Sequence, residues 1–223
     1  MIELFQITGS ASFATRAALE ELGAEYTTID VHPRRRDETP DFVAVNPLQR
    51  VPAIRDGETN VYETGAVLIY LGDRFPDARL APPIGDRHRG RYLRWIAYLA
   101  NTLHQIWFPY QYPGIFAEDP IAHPAVKAAA RKRIEAAGAY LESELEGRDW
   151  CLGERFSLAD IYLYQCTGWQ HYNDDGLRLG GPNVQAHLAR VGARAAIART
   201  RALDDLRPDF QRNHPELRAG KPV

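Results

Sequence analysis

The sequence predicts an α/β N-terminal domain of order βαβαββα followed by an all-α helical domain. Three observations carry that expectation. Short apolar strands and helical segments alternate up to about Phe75. A proline-rich break follows, Pro76 to Asp86 (PDARLAPPIGD). Beyond it, apolar residues recur at helical spacing only.

The elements follow in order. Ile2 to Ile7 reads as a buried strand, and Thr8 to Ser12 (TGSAS) as a small-residue turn. Phe13 to Leu22 reads as a helix stopped by Gly23. Tyr26 to Val31 is a second strand, and a β-α-β unit implies a parallel pair with a right-handed crossover. His32 to Glu38 is a charged loop, and Phe42, Val43 and Val45 belong to a short helix. Residues 46–71 are the densest stretch (NPLQRVPAIRDGETNVYETGAVLIYL). Val51-Pro52 opens a short apolar segment, Asp56-Gly57 marks a hairpin, and Glu58 to Tyr62 reads as the partner strand. Glu63-Thr64 then starts a helix with Val67, Leu68 and Leu71 at helical spacing. The expected divisions are a first domain at 1–76, a linker at 77–86, a helical domain at 87–203 and a tail at 204–223.

In the second half, Arg87 to about Phe108 reads as a helix with Tyr92, Trp95, Leu99 and Leu103 on one face. Pro109 to Pro113 (PYQYP) is expected to break it. A helix then starts at Pro124 and runs to Gly147, with Ile134, Ala137, Leu141 and Leu145 inward. Ser157 and Asp160 form a Ser-x-x-Asp capping box, clasped by Phe156 and Ile161, before an apolar helix from Leu158 to Trp169. Pro182 to Thr200 is read as one further helix, and the polar tail from Asp204 either packs across the surface or is disordered.

The run Asn46-Pro47, Val51-Pro52, hairpin, Glu63-Thr64 resembles the glutathione transferase family, in the part of its thioredoxin-like domain that holds glutathione. The family pattern is N-P-x-G-x-V-P, a hairpin, then Glu or Gln followed by Ser or Thr at a helix start; Gln49 stands where glycine is usual. The box at Ser157 also resembles the one this family carries before a buried helix, where it is structural, so Asp160 is assigned no catalytic role. The resemblance runs to about Leu203. It implies an α/β thioredoxin-like first domain, glutathione as cosubstrate, and a homodimer.

The chemistry of the binding residues can be stated from their types. A bound peptide exposes N–H and C=O groups, and an extended Val51 before a cis Pro52 can pair with them as an added strand would. Only ~5% of X-Pro bonds are cis, so it is the resemblance that implies this one. Thr64 at a helix N-terminus offers a hydroxyl and free N–H groups to a carboxylate, and Glu63 can pair with an ammonium. Together they suit the γ-glutamyl end of glutathione, though an ordinary helix cap would use the same residues. Arg50 falls where the family contacts the glycine end, and the family's basic residue after the second strand falls near Arg34 or Arg35. A solvated surface charge is the plainer reading of each arginine.

The family's task is to lower the pKa of the glutathione thiol and present the thiolate to an electrophile. A free thiol titrates near ~8.5, and lowering that by about two units needs roughly 2.7 kcal/mol of preference for the thiolate. A hydroxyl donor beside a helix N-terminus can supply that order of energy. The first turn offers no tyrosine and no cysteine; aligned with the cysteine-type (beta) bacterial class, which reads G-A-C-S, this chain reads Gly9-Ser10-Ala11-Ser12. Ala11 takes the cysteine position, which leaves Ser10 and Ser12 as the catalytic candidates, Ser12 also being a candidate N-cap. That class has L-H-K late in its long helix, and Leu103-His104-Gln105 keeps the histidine. His104, Trp107, Tyr110 and Tyr112 are the candidates to line the electrophile site, with core packing the competing role for each.

Composition excludes several other classes. The chain has 223 residues, 45% hydrophobic, with a net charge of −2. Nothing there calls for nucleic acid, and no apolar run approaches the ~20 residues that span a bilayer. Met1 leads straight into a strand, so no signal peptide is expected and cytoplasmic residence fits. Cys151 and Cys166 make no CxxC, and the seven histidines are scattered without ligand spacing, so no metal is expected. The function expected is conjugation of glutathione to a small hydrophobic electrophile. The alternatives are a glutathione-dependent disulfide or peroxide reductase, and a non-catalytic transferase-like binding protein.

Overall fold

A computed structural model describes residues 1–172 and 176–204, the side chains of 171, 172 and 204 excepted. Residues 205–223 of the expected tail lie outside the described residues. The chain forms two compact units, Met1–Arg89 with the segment from Ala193, and Gly90–Gly192.

The first unit is built on a four-stranded sheet in the order β2-β1-β3-β4. Strand β1 (Ile2–Gln6) is parallel to β2 (Tyr26–Asp30) and antiparallel to β3 (Ala53–Asp56), which is antiparallel to β4 (Thr59–Tyr62). Helix α1 (Ser12–Leu22) makes the crossover and ends at Gly23, whose φ of 64° is the left-handed conformation a stop requires. A short α2 (Phe42–Val45) and α3 (Thr64–Arg74) complete the βαβαββα order. Leu4, Phe5, Ala53 and Ile54 are sealed in the sheet, and Phe5 stacks on Phe42 at 5.6 Å between ring centroids. The hairpin turns through Gly57-Glu58, because Asp56 still pairs with Thr59; Gly57 has φ 60°.

One helix expected near the C-terminus is two. Helix α8 (Pro182–Gly192) and α9 (Ala195–Asp204) are separated at Ala193-Arg194. Helix α9 packs on α1 within the first unit, held by a two-pronged pair from Arg194 to Glu21, both contacts 2.7 Å.

The regular elements of the second unit's described residues are helical, one isolated bridge between Trp150 and Gly153 apart: α4 (Arg89–Tyr98, its first residue in the other unit), a π-helical segment Leu99–Leu103, α5 (His104–Gln111), α6 (His123–Glu144), α7 (Leu158–Gly168) and α8. Pro109 does not break α5. It lies inside the helix, which ends two residues later, so one ladder bond is lost near an end that frays anyway. The arginines at the start of α4 are largely structural: Arg94 pairs with Glu144 at 2.6 Å and Arg91 donates to the Cys151 carbonyl at 2.8 Å. The capping box before α7 is in place. A second cap comes from a distance: the Glu142 carboxylate on α6 accepts from the N–H groups of Gly181, Asn183 and Val184 and so starts α8. No helix among the described residues is long and apolar enough to cross a membrane.

Candidate functional site

Strand register assembles the candidate site. Phe5 pairs with Ala53, and Ala53 with Tyr62. The residues one step beyond those pairs are Gln6, Pro52 and Glu63. The turn after β1, the Val51-Pro52 bond and the start of α3 therefore meet at one end of the sheet, although Gln6 and Glu63 are 57 residues apart in sequence.

Val51-Pro52 is cis and Pro52 is buried. Neither the N–H nor the C=O of Val51 has a partner among the described residues. The loop before it is held by Asn46, 1% exposed, whose Nδ2 donates to the Arg50 carbonyl at 2.6 Å and whose Oδ1 accepts the Leu48 N–H at 3.0 Å. Gln49, at the position where glycine is usual, has φ 52°. The left-handed conformation explains why glycine suits this place, and a side chain there costs on the order of 1 kcal/mol.

Glu63 caps α3 with φ 71° and ψ 117°, a conformation unfavourable for a residue with a side chain. Its carboxylate is exposed and has no partner among the described residues. Thr64 follows as the first residue of α3, 5% exposed, and its hydroxyl is likewise without a partner there. An unpaired carboxylate next to a free hydroxyl at the positive end of a helix can take up an ammonium and a carboxylate side by side.

Of the arginines, Arg35 is exposed and paired with Glu38 at 2.9 Å. Arg36 is the one turned towards the site loop. Its Nε donates to the Pro33 carbonyl and its Nη1 to the Gln49 carbonyl, each at 2.9 Å, and it has no carboxylate partner among the described residues. Burial holds its pKa below the ordinary value, with the like charge of Arg50 adding to the effect. Arg50 is exposed and makes no side-chain ion pair among the described residues. Two guanidiniums with no acid between them favour an anion. The sequence pointed to Arg35 because loop arginines one residue apart look alike; which one turns inward depends on the loop's path.

Ser10 and Ser12 both stand in the first turn, tied to each other. Ser10 Oγ donates to the Ile7 carbonyl at 2.6 Å, accepts the Ser12 N–H at 3.2 Å, and lies 3.0 Å from Ser12 Oγ. Ser12 Oγ accepts the Ile7 N–H at 3.2 Å and is 2% exposed. Ser12 is the first residue of α1 and not its N-cap; that place is taken by Ala11, which has no side chain to cap with. Both protein thiols are fully buried, and burial pushes Cys151 and Cys166 well up, so neither supplies a thiolate.

In the helical unit, His104 Nδ1 is 3.2 Å from the Tyr162 hydroxyl, with its ring stacked on Phe108 at 5.6 Å and edge-on to Trp169 at 4.5 Å. Burial pushes its pKa down to about 4. Trp107 and Tyr110 are core side chains, 1% and 2% exposed, whereas His104 and Tyr112 keep part of their surface. A group with no sequence signal lies deeper in this unit: Cys151, Asp160 and His187, all buried, bring their ligand-type atoms within 4.8 Å of one another. Asp160 already accepts from the N–H groups of Cys151 and Ser157, from Ser157 Oγ and from His187 Nε2.

This architecture has close counterparts. Family models for the glutathione S-transferase N-terminal domain and C-terminal domain match residues 1–73 and 124–190. The glutathione S-transferase GstA of Escherichia coli is 30% identical over 202 residues, 88% of this chain and 95% of that protein. A sphingomonad glutathione S-transferase solved in complex with glutathione is 32% identical, with a TM-score of 0.78 over 92% of this chain and 99% of the other. A beta-class enzyme from Sphingomonas chungbukensis is 29% identical with a TM-score of 0.78, again over 92% and 99%. With both halves matched in sequence and nearly the whole chain matched in fold, the protein belongs to the glutathione S-transferase family.

Proposed function

We propose that the protein conjugates glutathione to small hydrophobic electrophiles. The observation that carries this is the set of polar groups at one end of the sheet that have no partner among the described residues: the Val51 backbone, the Glu63 carboxylate, the Thr64 hydroxyl and the Arg50 guanidinium. Each answers one part of the tripeptide. The Glu63 carboxylate takes the γ-glutamyl ammonium, and Thr64 with the first N–H groups of α3 takes the neighbouring carboxylate. The Val51 N–H and C=O pair with the cysteinyl backbone as a strand would. Arg50, with Arg36 behind it, faces the glycine carboxylate; Arg35 is spent on Glu38. The cysteinyl thiol then lies over the turn that Ser10 and Ser12 hold, beside the positive end of α1. There it gives its proton to solvent. The thiolate forms the C–S bond, and the leaving group departs with its electron pair.

For the electrophile, His104 and Tyr112 are the members of the expected group with surface to offer, and His104 acts as a neutral imidazole. A homodimer in the cytoplasm belongs to the same reading and is tested by light scattering and cell fractionation.

Retention on immobilised glutathione tests the binding. The parent is retained and Glu63→Ala is not; equal retention of the two sinks the assignment. A paired assay with an aryl halide and a mixed disulfide tests the chemistry: turnover of the disulfide alone would make the protein a reductase.

A further inference from the structure

We propose that Thr8, and neither serine of the first turn, donates the hydrogen bond that holds bound glutathione as its thiolate. The inference rests on the binding reading above and follows from where each hydroxyl proton goes. Ser10 has one, and it is given to the Ile7 carbonyl at 2.6 Å. In the 3.0 Å contact between the two serine oxygens, Ser12 must therefore be the donor. Ser12 Oγ also accepts the Ile7 N–H, and Ser10 Oγ accepts the Ser12 N–H. Both serine protons are thus used inside the turn, and Ser12 is closed off from any ligand at 2% exposure. Handing either proton to a sulfur would break a bond that shapes the turn. Ser10 and Ser12 are positioning residues.

Thr8 differs on every count. It is partly exposed, and its hydroxyl has no partner among the described residues. Its place is right as well. The antiparallel pairs of β1 on β3 end with Leu4 opposite Ile54 and Phe5 opposite Ala53, so the residues that follow Phe5 and those that precede Ala53 leave the sheet at the same end. Thr8 lies three residues past Phe5 and Val51 two before Ala53, so both stand at that end, where the Val51 N–H and C=O have no partner among the described residues. Thr8 also lies just ahead of the N-terminus of the 11-residue helix α1, where an anion is favoured. A threonine hydroxyl carries one rotatable proton, and a thiolate is the stronger acceptor than the thiol it replaces.

Titrating the ultraviolet absorbance of the thiolate in the glutathione complex of the full chain tests this. In Thr8→Val the apparent pKa of the bound thiol rises by about one unit, so about tenfold less thiolate is present below the pKa. In Thr8→Ser the parent value is restored. Binding of S-methylglutathione, which has no thiol to ionise, is the same in the parent and both variants. A Thr8→Val titration that superimposes on the parent, with S-methylglutathione binding unchanged, overturns the role of Thr8 and leaves the binding site standing. So does a Thr8→Ser protein that titrates like Thr8→Val. A parent protein that binds neither glutathione nor S-methylglutathione overturns the binding reading and this inference with it.

Discussion

His187 Nε2 donates to Asp160 Oδ1 at 2.8 Å, and both side chains are fully buried. The same carboxylate closes the capping box of α7 and accepts the Cys151 N–H at 2.7 Å. It thus ties three segments together: the α6–α7 loop, the start of α7 and the middle of α8. A buried carboxylate is tolerable only because its lone pairs are all answered.

Removing that acceptor leaves several buried donors unpaired at once. Asp160→Ala is expected to lose on the order of 3–5 kcal/mol in denaturant unfolding, and Ser157→Ala about 1 kcal/mol. His187→Ala falls between them, since it removes one donor but opens a cavity beside Trp150, whose ring centroid is 6.1 Å from the imidazole. An Asp160→Ala protein within about 0.5 kcal/mol of the parent would show that the network contributes nothing beyond the cap.

Arg36 and Arg35 should separate cleanly. Arg36→Gln is expected to weaken glutathione binding about tenfold, roughly 1.4 kcal/mol, and Arg35→Gln to leave it within about twofold. The control is γ-glutamylcysteine, which lacks the glycine carboxylate. Calorimetry should find parent and Arg36→Gln equal towards that ligand, because the charge under test has nothing to meet. A penalty of the same size there would mean that Arg36 acts by holding the Gln49 carbonyl, and so the loop.

His104 makes a prediction about pH. Its pKa is pushed down to about 4 by burial, below the ordinary 6.5. Between those values the unfolded chain binds the proton and the folded chain does not. The contribution to stability is therefore complete above about 6.5 and is lost as pH falls towards about 4. Thermal unfolding of His104→Gln should depend less steeply on pH across that window than the parent does. The imidazole should also stay neutral from pH 5 upwards by NMR, so activity should show no step from it near neutrality. A His104 signal that titrates near 6.5 contradicts both statements.

What the sequence by itself determined is local. A hairpin at Gly57, the stop at Gly23, the Ser157 box and the Glu63-Thr64 helix start are short-range statements about backbone conformation and capping, and they can be read where they stand, although the turn itself is Gly57-Glu58 and not Asp56-Gly57. The family pattern joined them into a fold. The tertiary structure decided which side chains have a proton or a charge left to give. Ser10 and Ser12 look like free hydroxyls in sequence, but the turn directs the Ser10 proton to the Ile7 carbonyl and the Ser12 proton to Ser10 Oγ, while the Thr8 hydroxyl has no partner among the described residues. Arg36 instead of Arg35 turns to Gln49, Glu142 caps a helix about 40 residues away in the chain, and α9 leaves the helical unit for α1. Each of those outcomes depends on register and packing between segments remote in sequence, and neither composition nor local spacing encodes where a remote partner will be.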